Sequence, residues 1–224
     1  MTVDTSMVAP APPPLSGRRR RVAILLFDDV EVLDFAGPFE VFGVSMAVEG
    51  MPAFEVVTIA LNSGEVIARN GLRVVPTCTA SALGDVDILV VPGGSGTRRE
   101  MTRLDMLDFI RSASASADLT LSVCTGALLL GTAGLLEGRS ATTHCDAMGE
   151  LRDLDSGADI LPHARIVDNG SLIISAGVSA GIDAALYIVS RLLGPELAAQ
   201  TAHYMQYEWT CREVDGQRVV KVGP

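Results

Sequence analysis

The 224-residue sequence predicts an α/β fold built on a mostly parallel sheet, on three observations. Short apolar runs recur that are too uniform for strands wetted on one face. Helical patterns fall between them, giving the strand–helix alternation whose crossovers are right-handed. A thiol, Cys124, stands where one such strand stops and a helix begins.

In chain order, the strands are "VAILLF" (22–27), "FEVVTIAL" (54–61), "VDILVVP" (86–92) and "LTLSV" (119–123). Helices are predicted for "PFEVFGVSMAV" from Pro38, "DMLDFIRSASAS" from Asp105 and "TGALLLGTAGLL" from Thr125. Pro38 suits a first helical turn, where its missing N–H costs nothing. Two hairpins interrupt the alternation, turning at Asn70-Gly71 and Asn169-Gly170, pairs that favour a type I′ turn. "AGVSAGIDAALYIVSRLLG" then reads as a helix closed by Gly194, and "PELAAQTAHYMQYEW" as a last helix opened by Pro195. The expected organisation is a disordered Pro/Ser/Ala tail over 1–20, one domain over 21–211 and a loose polar tail over 212–224.

A content of 48% hydrophobic and 20% charged residues is that of a globular chain long enough for a full core. Net charge is −10 and the isoelectric point about 4.7, so the surface repels phosphate backbones and nucleic acid is not an expected partner. The one basic cluster, Arg18 to Arg21, precedes an apolar run that ends at Asp28, too short for a signal peptide core. No stretch approaches a membrane span, so the expectation is a cytoplasmic protein without membrane association. Cys78, Cys124, Cys145 and Cys211 form no C-x-x-C pair and are expected as free thiols.

Cys124 has two readings: a small core residue, or a nucleophile at a strand-to-helix elbow. Gly126, two residues on, permits the sharp turn, and the helix N-terminus beyond it would lower the thiol pKa. Asp34 in "VLDFAGP" (32–38) follows the first strand, either as a helix cap or as a desolvated carboxyl able to carry a proton. "VPGGSG" (91–96) follows a third strand, where Gly93 and Gly94 would aim N–H groups into the crevice as an oxyanion hole joined by Thr125. The carboxyl ends of strands are where open α/β sheets bind ligands.

"GVSAG" (177–181) matches the serine hydrolase pattern, but only His203 follows, inside a helix pattern. This stretch, including Val178, is expected instead as a close approach to the elbow, with Asp183 in the first turns of the following helix. His144 and Cys145 lack a spaced second pair and make a poor tetrahedral site, so no metal is expected. His144 is expected near the thiol as a polar neighbour, while His163 carries no signal. There is no dinucleotide fingerprint and no phosphate loop, so no cofactor is expected.

"LDFAGPFEVF", "VPGGSG", "SVCTGALLLGTAGLLEGRSATTH" and "AGVSAGIDAAL" together resemble the ThiJ/PfpI superfamily over roughly Arg21 to Trp209. The resemblance implies a flavodoxin-like three-layer sandwich related to class I glutamine amidotransferase domains, and a homodimer. Within the superfamily the sequence is most similar to isonitrile hydratases, which carry Asp in "LD-x-x-GP" and Thr after the cysteine. That implies a hydro-lyase converting a small isocyanide to an N-substituted formamide. Cys124 would be the nucleophile, Asp34 the acid/base, Gly94 and Thr125 N–H groups the anion donors, and the Thr125 hydroxyl a water or substrate guide. PfpI-type peptidases have His where Thr125 stands, which speaks against peptidase activity. Cys145 departs from the Trp common in the hydratase group, and the C-terminus lacks its Pro-rich continuation. The alternatives are a glyoxalase- or amidase-type relative, or a thiol or ligand sensor similar to the sensor half of AraC-type regulators. Such regulators continue into a helix-turn-helix domain, whereas this sequence stops at Pro224 and is not expected to bind DNA by itself.

Overall fold

The structure, a computed structural model, describes residues 19–46 and 51–209 and the backbone of 211–213 and 219–222. Its elements are β1 (Arg20–Leu25), α1 (Val32–Val44), β2 (Phe54–Ala60), β3 (Val66–Ile67), β4 (Arg73–Val74), β5 (Cys78–Thr79) and β6 (Ile88–Val91). There follow α2 (Thr97–Glu100), α3 (Leu104–Ser116), β7 (Leu119–Val123), α4 (Gly126–Thr132), β8 (Ser140–Ala141), α5 (Met148–Asp153) and β9 (Asp159–Ile160). The chain closes with β10 (Ile166–Asp168), β11 (Leu172–Ser175), α6 (Ala180–Leu193), α7 (Pro195–Tyr204), β12 (Cys211–Glu213) and β13 (Val219–Val222).

Nine strands form one sheet in the order β12-β13-β10-β11-β7-β6-β1-β2-β5. From β11 to β5 every neighbouring pair is parallel, while β10, β12 and β13 add an antiparallel edge. The apolar uniformity of the central strands has its cause here: β6 and β7 are buried along their whole length, covered on both faces. From β1 the chain crosses to β2 on one side, and from β6 to β7 on the other. Right-handed crossovers therefore put α1 and α3 on opposite faces. Packing agrees: α1, α6 and α7 form one layer, and α2, α3 and α5 gather around α4 in the other. This is the flavodoxin-like three-layer arrangement, and its switch of direction falls between β1 and β6.

Three expectations change. Helix α1 starts at Val32, not Pro38, because Glu31 N–H bonds the Gly93 carbonyl (2.9 Å) and Val30 bridges Gly94, turning the chain just before Val32. Pro38 then lies inside the helix, where it withholds one N–H from the Asp34 carbonyl. The predicted end of that helix, Ala47 and Val48, lies outside the described residues. The basic cluster also belongs partly to the fold: Arg20 opens β1, is buried and pairs with Asp118, and Arg21 pairs with Glu55. Residues 1–18 of the expected tail lie outside the described residues. At the other end, the tail expected to be loose carries β12 and β13, whose backbone extends the sheet beside β10.

Both Asn-Gly hairpins form, by different turns. In β3–β4, Asn70 (φ 62°) and Gly71 (φ 84°) are both left-handed, but Gly71 N–H bonds the Ala68 carbonyl (3.1 Å) and Ala68 N–H the Leu72 carbonyl (2.8 Å), so Asn70 is the second central residue of a turn that starts one residue earlier than the expected type I′ turn. In β10–β11 only Gly170 is left-handed (φ 85°), and Asn169 N–H bonds the Leu172 carbonyl, so Gly170 takes the first central position as in a type II′ turn. Asn169 is held elsewhere: its side-chain amide accepts from Ser140 N–H (3.1 Å) and donates to Ser140 C=O (2.9 Å). Gly194 (φ 98°) ends α6 and Pro195 opens α7, as the sequence indicates. No helix among the described residues is long and apolar enough to cross a membrane.

Candidate active site

Four adjacent strands, β1, β6, β7 and β11, send the loops at their carboxyl ends to one edge of the sheet beside the switch point. They carry Asp34, Gly93-Gly94, Cys124 and Val178, so the loops singled out in the sequence do converge.

Cys124 is an elbow. It stands between β7 and α4 with φ 58°, a left-handed conformation uncommon outside glycine. Gly126 is required by the turn, since a Cβ there would lie 2.1 Å from the Val91 carbonyl oxygen. The backbone around the thiol is fully engaged: Cys124 N–H bonds Ala176 C=O (3.1 Å), and the Thr143 hydroxyl donates to Cys124 C=O (2.8 Å). Thr143 was missed in the sequence, although two adjacent threonines entering the core are a usable signal of such anchoring.

The thiol pKa is not lowered. Burial, with Cys124 only 5% exposed, and the nearby Asp34 charge push it up to about 12. N–H groups of Thr125 and Val178 pull the other way without prevailing. Helix α4 has only seven residues, a weak source of compensating field.

Asp34 is fully buried in the first turn of α1 but does not cap it; Glu31 holds the cap position. Its Oδ2 accepts from Gly93 N–H (3.0 Å), and its Oδ1 has no hydrogen-bond partner. The Cys124 thiol and Val178 N–H lie close enough to lower its pKa without completing a bond to Oδ1. Desolvation outweighs both and, with the Glu31 charge, raises the carboxyl from 3.8 to about 7. Carboxyl and thiol thus titrate as a pair that holds one proton between its two steps.

The glycine loop does a different job from the one expected. Gly93 N–H is given to Asp34, and Gly94 N–H to the Thr125 hydroxyl (2.9 Å), so neither is left as an oxyanion donor. Thr125 Oγ1 donates back to Gly94 C=O (3.1 Å), which removes it as a guide for water. The loop is pressed against the site: a Cβ on Gly93 would lie 2.5 Å from Thr125 N and 2.9 Å from Asp34 Oδ2. Arg98, unremarked in the sequence, braces this loop by donating to Gly94 C=O (3.3 Å) while pairing with Glu150. The N–H groups facing the sulfur are those of Thr125 and Val178.

Val178 is a second left-handed residue (φ 52°), set between β11 and α6. Gly177 and Gly181 provide the close approach: Cβ atoms there would lie 2.2 Å from the His144 ring and 2.8 Å from Val123. His144 therefore lines the loop behind Val178, with Nδ1 turned outward to accept Asp146 N–H (3.2 Å). Asp183 is buried but committed to Arg165 and to the Tyr207 hydroxyl (3.0 Å), which makes it a structural anchor. Ser179 receives a bond from Arg165, and His203 is exposed on α7, so no serine–histidine pair forms. Cys78, Cys124 and Cys145 are free thiols; the Cys211 side chain lies outside the described residues.

The chain is 36% identical over 188 residues to isonitrile hydratase of Pseudomonas putida, covering 84% of this chain and 78% of that one. It is 26% identical to the HTH-type transcriptional regulator GbdR of Pseudomonas aeruginosa, spanning 94% of this chain but only 57% of the regulator. Among solved structures, a ThiJ/PfpI family protein from Pseudomonas syringae superposes with a TM-score of 0.77 at 30% identity, covering 93% of this chain and 87% of that one. Drosophila melanogaster DJ-1beta shares the fold, with a TM-score of 0.75 at 20% identity over 85% of this chain and all of that one. The DJ-1/PfpI family pattern matches residues 20–191, the stretch from β1 through the elbow into the last turn of α6. On its sequence, fold and cysteine elbow, the chain belongs to the DJ-1/PfpI family.

Proposed function

We propose that the protein is a cysteine-dependent hydratase of organic isocyanides, R–N≡C + H2O → R–NH–CHO. The observation carrying this reading is the buried Asp34 carboxyl beside the Cys124 elbow, raised to about 7 and with an unpartnered oxygen. A carboxyl poised there can give and retake a proton near neutrality. The 36% identity to isonitrile hydratase supports the same chemistry. So does access: Cys124, a residue only 5% exposed, suits a linear group that presents a bare terminal carbon.

In the reacting tautomer the pair's single proton sits on Asp34 and the charge on sulfur. The thiolate attacks the terminal carbon, Asp34 protonates that carbon, and a thioimidate R–N=CH–S forms. Thr125 and Val178 N–H groups steady the charge on sulfur before attack and on its departure. Asp34, now a carboxylate, takes a proton from water as oxygen adds to the carbon, and passes a proton to nitrogen. Collapse expels the thiolate, releases the formamide and returns the hydroxyl proton to Asp34. Gly93 holds the carboxyl in place, while Gly94, Thr125 and Arg98 fix the loop that carries Gly93.

The test is formamide production from a panel of isocyanides, with methylglyoxal and small amides as competing classes. Turnover of isocyanides alone supports the hydratase, and turnover of another class alone replaces it. The similarity to GbdR across 94% of this chain favours one other reading, a ligand-sensing domain. Saturable binding of a panel compound without turnover would select it. A small-molecule substrate, a homodimer and a cytoplasmic location complete the proposal.

A further inference from the structure

We infer that His144, Cys145 and Asp146 form a surface site for a borderline divalent cation of the zinc class, outside the elbow. The sequence offered two adjacent ligand types and no spaced pair; the turn after β8 supplies the third donor. Cys145 Sγ lies 3.9 Å from His144 Nδ1 and 3.6 Å from Asp146 Oδ1, and His144 Nδ1 lies 3.8 Å from Asp146 Oδ2. With one carboxylate oxygen as ligand, the three donor atoms lie within 4.8 Å of one another. Zinc bonds of standard length at tetrahedral angles put neighbouring ligand atoms about 3.3–3.6 Å apart, so a rotation of the exposed Cys145 and Asp146 side chains that draws the donors together by about an ångström seats the ion. One face stays open for water.

The turn already orients the donors. His144 caps the short 3-10 turn Cys145–Ala147 by accepting Asp146 N–H at Nδ1, which keeps that nitrogen unprotonated and facing outward. Its other ring edge lies against Gly177, which fixes the ring plane. Cys145 and Asp146 are exposed, so a cation reaches them directly, and water replaces the Asp146 N–H bond that ligation breaks. On binding, Cys145 gives its thiol proton to solvent and ligates as thiolate, with Asp146 as carboxylate and His144 as neutral imidazole. A thiolate–imidazole–carboxylate set suits Zn²⁺ and Co²⁺, whereas Mg²⁺ and Ca²⁺ require oxygen donors. The site is coupled to the elbow through the chain: Thr143, one residue before it, holds the Cys124 carbonyl, and His144 backs the Val178 loop.

Co²⁺ titration of the full chain followed by absorption tests this. A thiolate-to-cobalt charge-transfer band saturating at one ion per chain is expected, displaced by Zn²⁺ and not by Mg²⁺. Cys145→Ser should abolish the band, and Asp146→Asn should weaken Co²⁺ affinity by about tenfold or more, the scale on which partners of a metal site act. Both residues are exposed, so both variants should fold, with circular dichroism as the check. Cys124→Ser should keep the band, which separates this site from the catalytic thiol. No band in wild type, a band that survives Cys145→Ser, or one lost in Cys124→Ser would each overturn the site.

Discussion

Two strand-to-helix junctions lie side by side in this protein, and they use the same backbone device for different ends. β7 runs through Cys124 (φ 58°) into α4, and its parallel neighbour β11 runs through Val178 (φ 52°) into α6. In each, a residue with a Cβ takes a left-handed conformation at a cost of roughly 1–3 kcal/mol. At the first junction the strain presents a side chain, the thiol. At the second it presents only a backbone N–H, aimed at that thiol. A β-branched residue is the worst choice for such a turn on propensity alone. The pair shows that strain at a site marks where the chain is aimed, while the residue type says whether side chain or backbone is used.

Breaking the first junction should have the largest effect. Cys124→Ser should reduce formamide production to background with the fold retained, measured by product formation beside circular dichroism. An active serine variant would remove the sulfur from the chemistry.

Removing the proton that serves the first junction comes next. Asp34→Asn should lower turnover roughly 100- to 10,000-fold, the usual worth of general acid–base catalysis. In wild type, kcat/KM should rise as pH passes about 7, where the Asp34–Cys124 pair reaches its one-proton state, and the variant should lose that step. Stability carries the same signature with the opposite sign. The folded carboxyl holds its proton up to about 7 against 3.8 unfolded, so wild-type stability should fall as pH rises from about 4 to about 7. Asp34→Asn should flatten that slope in melting curves; equal slopes would mean that the carboxyl is not desolvated as described.

The second junction should be sensitive behind Val178 rather than at it. Gly177→Ala places a methyl 2.2 Å from the His144 ring, so the ring or the loop must move. Overpacking of this kind costs about 1–3 kcal/mol and should shift the Val178 N–H off the sulfur, lowering kcat with less change in KM. Unchanged kinetics in a destabilised variant would separate this loop from catalysis.

Val178→Gly should do least and sharpens the contrast most. Glycine keeps the N–H and relieves the left-handed strain, offset by about 0.5–1 kcal/mol of chain entropy. The expected outcome is stability equal to wild type or higher by roughly 1 kcal/mol, with turnover within a few-fold. A large loss of turnover would show that the valine side chain itself shapes the site.

Much of this architecture was legible in the sequence because hydrophobic burial writes a pattern into it. Strands covered on both faces must be apolar throughout, as in β6 and β7, and a tight elbow must have glycine at Gly126. The convergence of Asp34, Gly93-Gly94, Cys124 and Val178 follows once those strands are taken as parallel, since their carboxyl ends share one edge. What each group does there was decided only by tertiary packing. A pKa depends on how much solvent neighbouring elements exclude and on which charge they bring near. The strand-to-helix position of Cys124 therefore pointed to a lowered thiol pKa, whereas the packed site raises it to about 12. Donor assignment likewise depends on partners distant in the chain. Gly93 and Gly94 satisfy Asp34 and Thr125, 59 and 31 residues away, and leave the sulfur to Thr125 and Val178. Hydrophobic patterning is local and survives in one dimension; electrostatics and hydrogen-bond allocation are properties of the assembled volume.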